Sequence, residues 1–427
     1  MFAEGKFFER TDRGRKEEKE RKGGRVERPK YRFAVGVAVD EPPGAVGFSA
    51  VNRAVESLGG KPSFAFVAIS KEYESNRKAI LEGVMRVLED TPLLGAIVLD
   101  PIMTWRGPQR KGVAVALWTA DEDMLIDTHL LKLHNREDEE IKDELLRIFQ
   151  GGESKRYLNL VGVLPYYSEG VGERLERILL SLSEYIDLAV IGVVGAVNPG
   201  PWSIIHNGDF YSSHMALATL RTDIPLGVFF AHGFHPLVPM EVTEAHDRFI
   251  VELDNSPAYE VITDILMGRG VGGEDIKDRG RLRKVLSKFQ MAISDPAAAG
   301  KFKTAVIRDI GPRGVEVNIS ISVGDTVWLM EANPDEIVKS TMKSLTRALS
   351  TLKDVSPAGY LFFENHLRIS ALGERLGYDV KGLKQASPLP FLGVPSSQEL
   401  VIHHSVYSGL HSGAVAGVLF TNSTKRP

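Results

Sequence analysis

Two histidines in the middle of the chain are spaced for chemistry. His232 and His235 form an H-x-x-H pattern in a turn rich in glycine and proline, directly after an apolar stretch. Two neutral imidazoles on one turn could bind one transition-metal ion. They could instead line a ligand pocket or a catalytic site, or hold the turn by hydrogen bonds. The pattern specifies no third metal ligand, so the alternatives stay open and no metal site is predicted.

A second polar group follows an apolar stretch late in the chain. Glu364, Asn365, His366 and Arg368 come directly after Gly359–Phe363. Polar side chains at the end of a strand and before a helix are where open α/β sheets bind ligands. Arg368 could form a bidentate pair with a ligand carboxylate, although it could also lie at the surface. Asn365 could contact the ligand or could equally cap the helix that follows.

Other histidines fall in segments that favour turns or loops. Residues His206 to Asp209 (HNGD) predict a tight hairpin, because Asn-Gly suits positive φ. His403, His404 and His411 flank a segment rich in serine, glycine and tyrosine. That segment could line a pocket for a polar ligand, or it could be an ordinary loop before the last strand.

Sequence motifs of common enzyme classes are not found. There is no G-x-S-x-G and no Walker A sequence, and the glycine-rich Gly268–Gly273 does not follow a predicted strand. The chain has no cysteine, which excludes disulfides, thiolate zinc sites, iron–sulfur clusters and cysteine nucleophiles. The sequence therefore predicts no catalytic residue and no cofactor. A binding protein is favoured over an enzyme, and the question stays open.

Composition narrows the class of protein. The 427 residues are 43% hydrophobic and 25% charged, as in ordinary soluble globular proteins, and the net charge of −4 gives no basic field for nucleic acid. No apolar run is long enough to span a membrane, and no signal peptide is present, so we expect a cytoplasmic protein. Residues 1–30 are dense in both charge signs, which predicts a disordered arm.

The hydrophobic pattern predicts a mixed α/β (α+β) fold. Strands alternate with helices over residues 31–194, although Asp121–Gly152 indicates helices only. Strand-like segments with short turns follow as far as Leu253, and a long helix is predicted at Pro334–Leu352. A glycine-rich break near residue 270 suggests two sheet-containing halves with flanking helices, residues 31–270 and 271–427. No repeat with a fixed period of 20 to 50 residues is found.

The segment from residue 227 to 258 resembles the closing part of the amino-terminal half of FIST domains. That family has a glycine, an aromatic residue and a proline, then a Val-Thr pair and a later acidic turn that opens a helix. The matching positions are Gly233, Phe234, Pro236, Val242-Thr243, Glu252-Leu253-Asp254 and Pro257-Ala258. Earlier, Leu94-Gly95-Ala96, Gly192 and Gly195 occupy glycine positions of the same half.

The second half resembles the carboxy-terminal FIST segment. The matching positions are Val306-Ile307-Arg308, Gly324–Val327, the helix at 334–352, Leu361–Phe363, Arg368, Phe391-Leu392-Gly393 and Glu399. Three positions depart from the family's usual pattern. Glu364-Asn365 stands where a cysteine or small residue is common, Gln398 replaces a glycine, and Val197-Asn198 replaces an acid. If these positions contact the ligand, we expect that ligand to differ from that of a typical member.

The resemblance implies a cytosolic sensory protein that binds a small polar metabolite, with amino acids and similar carboxylates as the favoured class, and that has a protein signalling partner. The ligand-binding residues predicted on this basis are His232, Gly233, His235, Asn365, Arg368, Gly393 and Glu399. One alternative is a hydrolase that uses His232 and His235 with a carboxylate such as Glu241 or Glu399. Another is an interaction scaffold that recruits its partner through the charged arm.

Overall fold

The computed structural model describes residues 32–120, 124–152, 155–165, 171–182, 189–197, 203–294, 300–352, 355–403 and 407–422. The charged arm of residues 1–30, predicted to be disordered, lies outside these ranges, as does His404. Strands and helices mix throughout the described residues, so the predicted mixed α/β class is confirmed.

The strands of the described residues form four sheets. In chain order they are β1 Phe33–Val39, β2 Phe64–Ser70, β3 Leu93–Val98, β4 Ile102–Thr104, β5 Gly107–Gln109, β6 Gly112–Trp118, β7 Leu125–Lys132, β8 Tyr157–Pro165, β9 Ala189–Val197, β10 Ile204–His206, β11 Asp209–Tyr211, β12 His214–Thr222, β13 Gly227–Ala231, β14 Phe234–His246, β15 Phe249–Leu253, β16 Ser256–Pro257, β17 Phe289–Ser294, β18 Phe302–Ala305, β19 Ile307–Gly311, β20 Gly314–Val317, β21 Thr326–Ala332, β22 Ser356–Asn365, β23 Phe391–Ser396, β24 Gln398–Ile402, β25 Gly409–His411 and β26 Val415–Asn422.

Helices cover the outer faces of these sheets. They are α1 Pro43–Leu58, α2 Arg77–Leu88, α3 Asp138–Gln150, α4 Val171–Leu182, α5 Ala258–Gly268, α6 Gly273–Lys277, α7 Arg279–Leu286, α8 Pro334–Thr351, α9 His366–Leu372 and α10 Leu376–Ala386, with short 3₁₀ turns at Lys71–Asn76 and Gly373–Arg375. None of the helices in the described ranges is both long and apolar enough to cross a membrane.

Among the described strands, one βαβαβ arrangement occurs three times. In the first motif, β1, α1, β2, α2 and β3 are followed by the β4–β5 hairpin and β6, and the sheet order is β1-β6-β2-β3. The second motif, β7 to β12, has the order β7-β12-β8-β9. The third, which starts at β13 and ends at β26, has the order β13-β26-β22-β23. Each motif contains one parallel pair of strands, which are β2–β3, β8–β9 and β22–β23. The last strand of each motif (β6, β12 or β26) lies between two earlier strands of that motif and pairs antiparallel with both.

The hairpins connect the three motifs in a ring. The β4–β5 hairpin of the first motif extends the sheet of the third, through the β23–β4 pair. The β10–β11 hairpin of the second motif extends the sheet of the first, and β24–β25 of the third extends the sheet of the second. Strands from both sides of residue 270 therefore share sheets. The division of the chain into two halves near residue 270 stays a prediction from the sequence.

The inner faces of the three sheets enclose one apolar core. Phe66 of β2, Val161 of β8 and Phe363 of β22 all belong to it, and the rings of Phe66 and Phe363 meet edge to face at 6.2 Å. The outer faces pack against α1 and α2, α3 and α4, and α8 to α10 respectively. Both faces of β2, β8 and β22 are buried, which explains why the sequence is continuously apolar there.

A fourth sheet is inserted in the third motif between β13 and α8. It contains β14 to β21, packs against α5 to α7, and has its own apolar cluster. Its strand β14 begins at Phe234, so the predicted turn around His232 is only the short link between β13 and β14. Pro236 and Pro239 are tolerated inside β14 because this half of the strand pairs with β21 alone, and it is also irregular between Pro236 and Val238.

The prediction of helices throughout Asp121–Gly152 is wrong for its first part. Residues Leu125–Lys132 form the edge strand β7, and α3 begins at Asp138. Ile126 and Leu130 pack on the inner core with period two, which is the pattern of a strand. The helix at Pro334–Leu352 and the Asn-Gly hairpin are confirmed, the latter with φ of +44° at Asn207 and +92° at Gly208.

Candidate functional site

The turn from His232 to Phe234 connects the sheet of the third motif to the inserted sheet. Gly233 has φ of +76°, and a Cβ atom placed on it would lie 2.6 Å from the Cα of Ile337 in α8. Only glycine fits this combination of left-handed backbone and close helix contact. The main-chain N–H of Phe234 donates to Nδ1 of His232 at 3.2 Å, so the neutral ring carries its proton on Nε2.

Arg368 donates a hydrogen bond to the main chain of this turn. Its side chain is fully buried on α9, and three of its nitrogens donate hydrogen bonds of 2.6 Å. The acceptors are Oε1 of Glu364, the main-chain carbonyl of His232 and Oγ1 of Thr341 in α8. The guanidinium therefore fixes the position of the turn relative to α8 and α9, and these bonds are internal to the protein.

Two buried acids, Glu364 and Asp379, lie beside the guanidinium. Glu364 is fully buried, and Oδ1 of the buried Asp379 lies 4.0 Å from Nη2 of Arg368. Burial raises the pKa of Glu364 and of Asp379, and the nearby guanidinium opposes that rise. Oε2 of Glu364 and Oδ1 of Asp379 have no hydrogen-bond partner among the described residues.

Asn365 links the start of α9 to a third buried acid. Its Oδ1 accepts the N–H of Leu367 at 3.0 Å and so caps α9. Its Nδ2 donates to Oε1 of Glu399 at 3.0 Å and to the carbonyl of Ser397 at 2.9 Å. Ser396 Oγ donates to Glu399 at 2.5 Å, yet burial still raises the pKa of Glu399 to about 8. Asn365 is thus a helix cap, one of its two sequence-based alternatives, and it also contacts the candidate residue Glu399.

An open cleft of about 670 Å³ lies in front of the turn. That volume is in the range of ~300–1,000 Å³ typical of small-molecule sites. The lining residues are Phe230, Ala231, His232, Gly233, Phe234, His235, Pro236, Gly300, Lys301, Phe302, Glu336, Ser340, Lys343, Arg347 and Tyr407.

One wall of the cleft is a single face of α8. Glu336, Ser340, Lys343 and Arg347 recur at intervals of three and four residues, which places them on one stripe of the helix. Asn333 caps this helix by accepting the N–H groups of Asp335 and Glu336. Glu336 pairs with Lys339 at 2.9 Å, so its charge is offset and the wall presents the cations of Lys343 and Arg347.

The histidines at the cleft differ in exposure and charge. His235 is exposed at its edge, whereas His232 is half-buried. Dense packing around His232 and the nearby Arg368 lower the pKa of His232 to about 4, so its ring is neutral. Within the described residues, no three side chains among His, Cys, Asp and Glu are placed to share a metal ion.

The predicted residue Gly393 and the histidines His206, His214 and His411 are not among the residues that line the cleft. Gly393 is packed inside the sheet of the third motif, where a Cβ atom would lie 2.2 Å from Cζ of Phe362. His206 and His214 contact the ring of Tyr211. His411 is buried, its Nε2 donates to the carbonyl of Tyr407 at 2.7 Å, and burial lowers its pKa to about 3. The structure thus brings together His232, Gly233 and His235 at the cleft, with Arg368, Asn365 and Glu399 behind.

Residues 63–256 match the family model of the FIST N domain. The chain contains a FIST N domain. The FIST domain is a small-ligand sensory domain of signal transduction. The match extends from the second strand of the first motif into the inserted sheet and includes the His232–Phe234 turn. The resemblance of the later residues to the carboxy-terminal FIST segment stays a prediction. No curated protein matches the chain.

Sequence reasoning about this chain missed Ser340, Lys343 and Arg347. In the sequence they read as the polar face of an amphipathic helix, which is the usual character of a solvated surface. One feature of the sequence could have pointed to them. They lie with Glu336 on one stripe of a helix that begins directly after the Asn333 cap. Their stripe becomes the wall of a cleft only in the tertiary structure, where Phe302 of the inserted sheet lines the same cleft.

Proposed function

We propose that this protein binds a small carboxylate, such as an amino acid, in the cleft between α8 and the His232–Phe234 turn, without performing chemistry on it. The observation that carries this proposal is the cationic stripe of Lys343 and Arg347 facing a turn that is fixed from behind by Arg368. A pair of cations at the wall of a concave site favours an anionic group.

The sequence suggested that Arg368 contacts the ligand directly, and the structure leads us to assign it a different role. Its three hydrogen bonds use the guanidinium internally, so we assign the direct ligand contacts to the cleft wall and to Gly233 and the neutral His232. Arg368, Asn365 and Glu399 are then positioning residues. Binding that shifts the turn would be transmitted to α9 and to the buried acids, which offers a route to a protein signalling partner. A cytoplasmic location belongs to the same proposal.

The test is a thermal-shift screen of the full chain with the twenty amino acids and common carboxylates. A ligand at a hundred times its dissociation constant stabilises the fold by about 2.7 kcal/mol, which raises the melting temperature by a few degrees. The double variant Lys343→Gln/Arg347→Gln should lose most of that rise. Lys381→Gln, a charge loss on α10 away from the cleft, is the control. A screen without any stabilising compound, or a rise that survives the double variant, contradicts the proposal.

The alternative of a hydrolase based on His232 and His235 receives less support. Nδ1 of His232 is occupied by the N–H of Phe234, and His235 is exposed at the edge of the cleft. A stabilising response to a divalent transition metal, lost in His235→Ala, would favour that alternative. The scaffold hypothesis concerns residues 1–30, outside the described residues. A truncation that begins at residue 31 and loses binding to a protein partner would favour it.

A further inference from the structure

Besides the α8 face, the cleft has an aromatic wall. Phe230 and Phe302 line it together with Tyr407, and all three side chains are half-buried, so each ring keeps an accessible part. The α8 wall carries Ser340 and the two cations. The cleft therefore offers a ligand both the cations of Lys343 and Arg347 and aromatic ring surface, and Lys301 lies beside Phe302 in the same lining.

The rings of the aromatic wall are held in place by rings behind them. Phe302 meets His232 and Trp328 edge to face, each at 5.9 Å between ring centroids. The buried His411 lies 4.4 Å from the ring of Phe230 and bonds the main chain of Tyr407. Rings that are already fixed lose little conformational entropy when a ligand binds, which favours a rigid, flat partner.

We propose that the cleft selects a carboxylate that carries a flat aromatic group, such as an aryl carboxylate or an aromatic amino acid. This inference rests on the proposed function and specifies its ligand class. The carboxylate contacts Lys343 and Arg347 on α8, and the ring of the ligand packs on Phe230 and Phe302. The distance along α8 from Ser340 to Arg347, seven residues, is about 10 Å, enough for a ligand of one or two rings.

The test compares three probes by isothermal titration calorimetry. Phenylacetate is flat and anionic, cyclohexylacetate has the same charge and carbon number but no flat ring, and phenylacetamide is flat but neutral. We expect phenylacetate to bind roughly 5- to 10-fold more tightly than cyclohexylacetate, since an aromatic pair contributes beyond the area it buries. Phenylacetamide should bind more weakly still.

Two variants localise the effect. Phe302→Leu should weaken phenylacetate several-fold and leave cyclohexylacetate nearly unchanged, and Phe230→Leu should act in the same direction. Phe48→Leu, at an exposed position of α1, is the control for the same substitution. The melting temperature without ligand identifies a variant that fails to fold.

The outcomes separate this inference from the proposed function. Equal affinity for phenylacetate and cyclohexylacetate, or binding of aliphatic amino acids while none of the three probes binds, overturns aromatic selection and leaves carboxylate binding in place. An absence of binding for every carboxylate and amino acid overturns both. Tight binding of phenylacetamide also overturns the inference, because the anionic group would then contribute nothing.

Discussion

Arg368 donates from Nη1 to the main-chain carbonyl of His232 at 2.6 Å, across 136 residues of sequence. The bond joins the first helical turn of α9 to the link between β13 and β14. The whole inserted sheet lies between these two residues in the chain, so the bond closes the insertion against the third motif. The position of the cleft therefore depends on a guanidinium that is itself fully buried.

Replacing Arg368 should destabilise the fold. Arg368→Met removes the donors to Glu364, His232 and Thr341 and leaves a buried acid without its cation, which typically costs about 3–5 kcal/mol. Urea unfolding of the full chain measures the free energy. Arg375→Met removes an exposed arginine that pairs with Asp335 and should change stability by less than about 1 kcal/mol. Equal effects of the two variants would contradict the role given to Arg368.

Glu399 should make stability fall as pH rises. Its pKa in the folded protein is about 8, above the ordinary value of 4.5, because burial disfavours the charged form. Its contribution is therefore fully present below about pH 4.5 and is lost as the pH rises through 8, with a slope of at most about 1.4 kcal/mol per pH unit. Glu399→Gln should reduce this dependence and stabilise the protein at pH 9 relative to the wild type.

The measurement is the free energy of unfolding at pH 5, 7 and 9. Burial also raises the pKa of Glu364, so part of the slope should remain in Glu399→Gln. Glu374→Gln, at an exposed position, is the control and should leave the slope unchanged. Parallel pH profiles for the wild type and Glu399→Gln would show that Glu399 is ionised throughout and would contradict the prediction.

Gly233→Ala should both destabilise the fold and impair the cleft. The new Cβ atom would combine φ of +76° with approaches of 2.6 Å to Cα of Ile337 and 3.1 Å to Nη1 of Arg368. Gly270 offers a matched control, since it has φ of +85° and open space around its Cα. Gly270→Ala should cost about 1–2 kcal/mol from backbone strain alone, and Gly233→Ala more, with overpacking adding about 1–3 kcal/mol. Equal losses in urea unfolding would mean that α8 moves freely away from the turn.

Sequence patterns predicted the parts of this fold that depend on local burial. Strands β2, β8 and β22 are continuous apolar runs, and α8 begins at Pro334 behind an asparagine cap, so period and capping identify them. Strand β7 was missed because an edge strand with charged neighbours has a weak pattern. The threefold arrangement was missed for a different reason. It is a property of strand order, and the third motif is interrupted between β13 and α8 by an entire sheet.

The candidate site was predicted in part, also for physical reasons. Polar residues at the end of an apolar strand pointed to Asn365 and Arg368, yet the sequence could not tell whether Arg368 contacts a ligand or the protein's own main chain. That depends on the carbonyl of His232, which only the tertiary structure brings near. Gly393 was selected by resemblance alone, and the structure packs it against Phe362.

A buried ion pair should couple the second motif to the inserted sheet. Glu176 of α4 accepts from Nζ of Lys303 in β18 at 2.7 Å and from the N–H of Leu410 in β25 at 3.1 Å, and both charged side chains are largely buried. Glu176→Gln and Lys303→Met should each cost about 2–4 kcal/mol, because each leaves a polar partner buried without its counterpart. The double variant should lose less than the sum of the two.

A double-mutant cycle in urea measures this coupling directly. We expect at least about 1 kcal/mol for Glu176 with Lys303. The exposed pair of Arg375 and Asp335, with a similar separation of 2.9 Å, should give less than about 0.5 kcal/mol in the same cycle. Equal coupling energies for the two pairs would mean that burial does not strengthen the Glu176 bond. The inserted sheet would then be held against the second motif by apolar packing and main-chain hydrogen bonds.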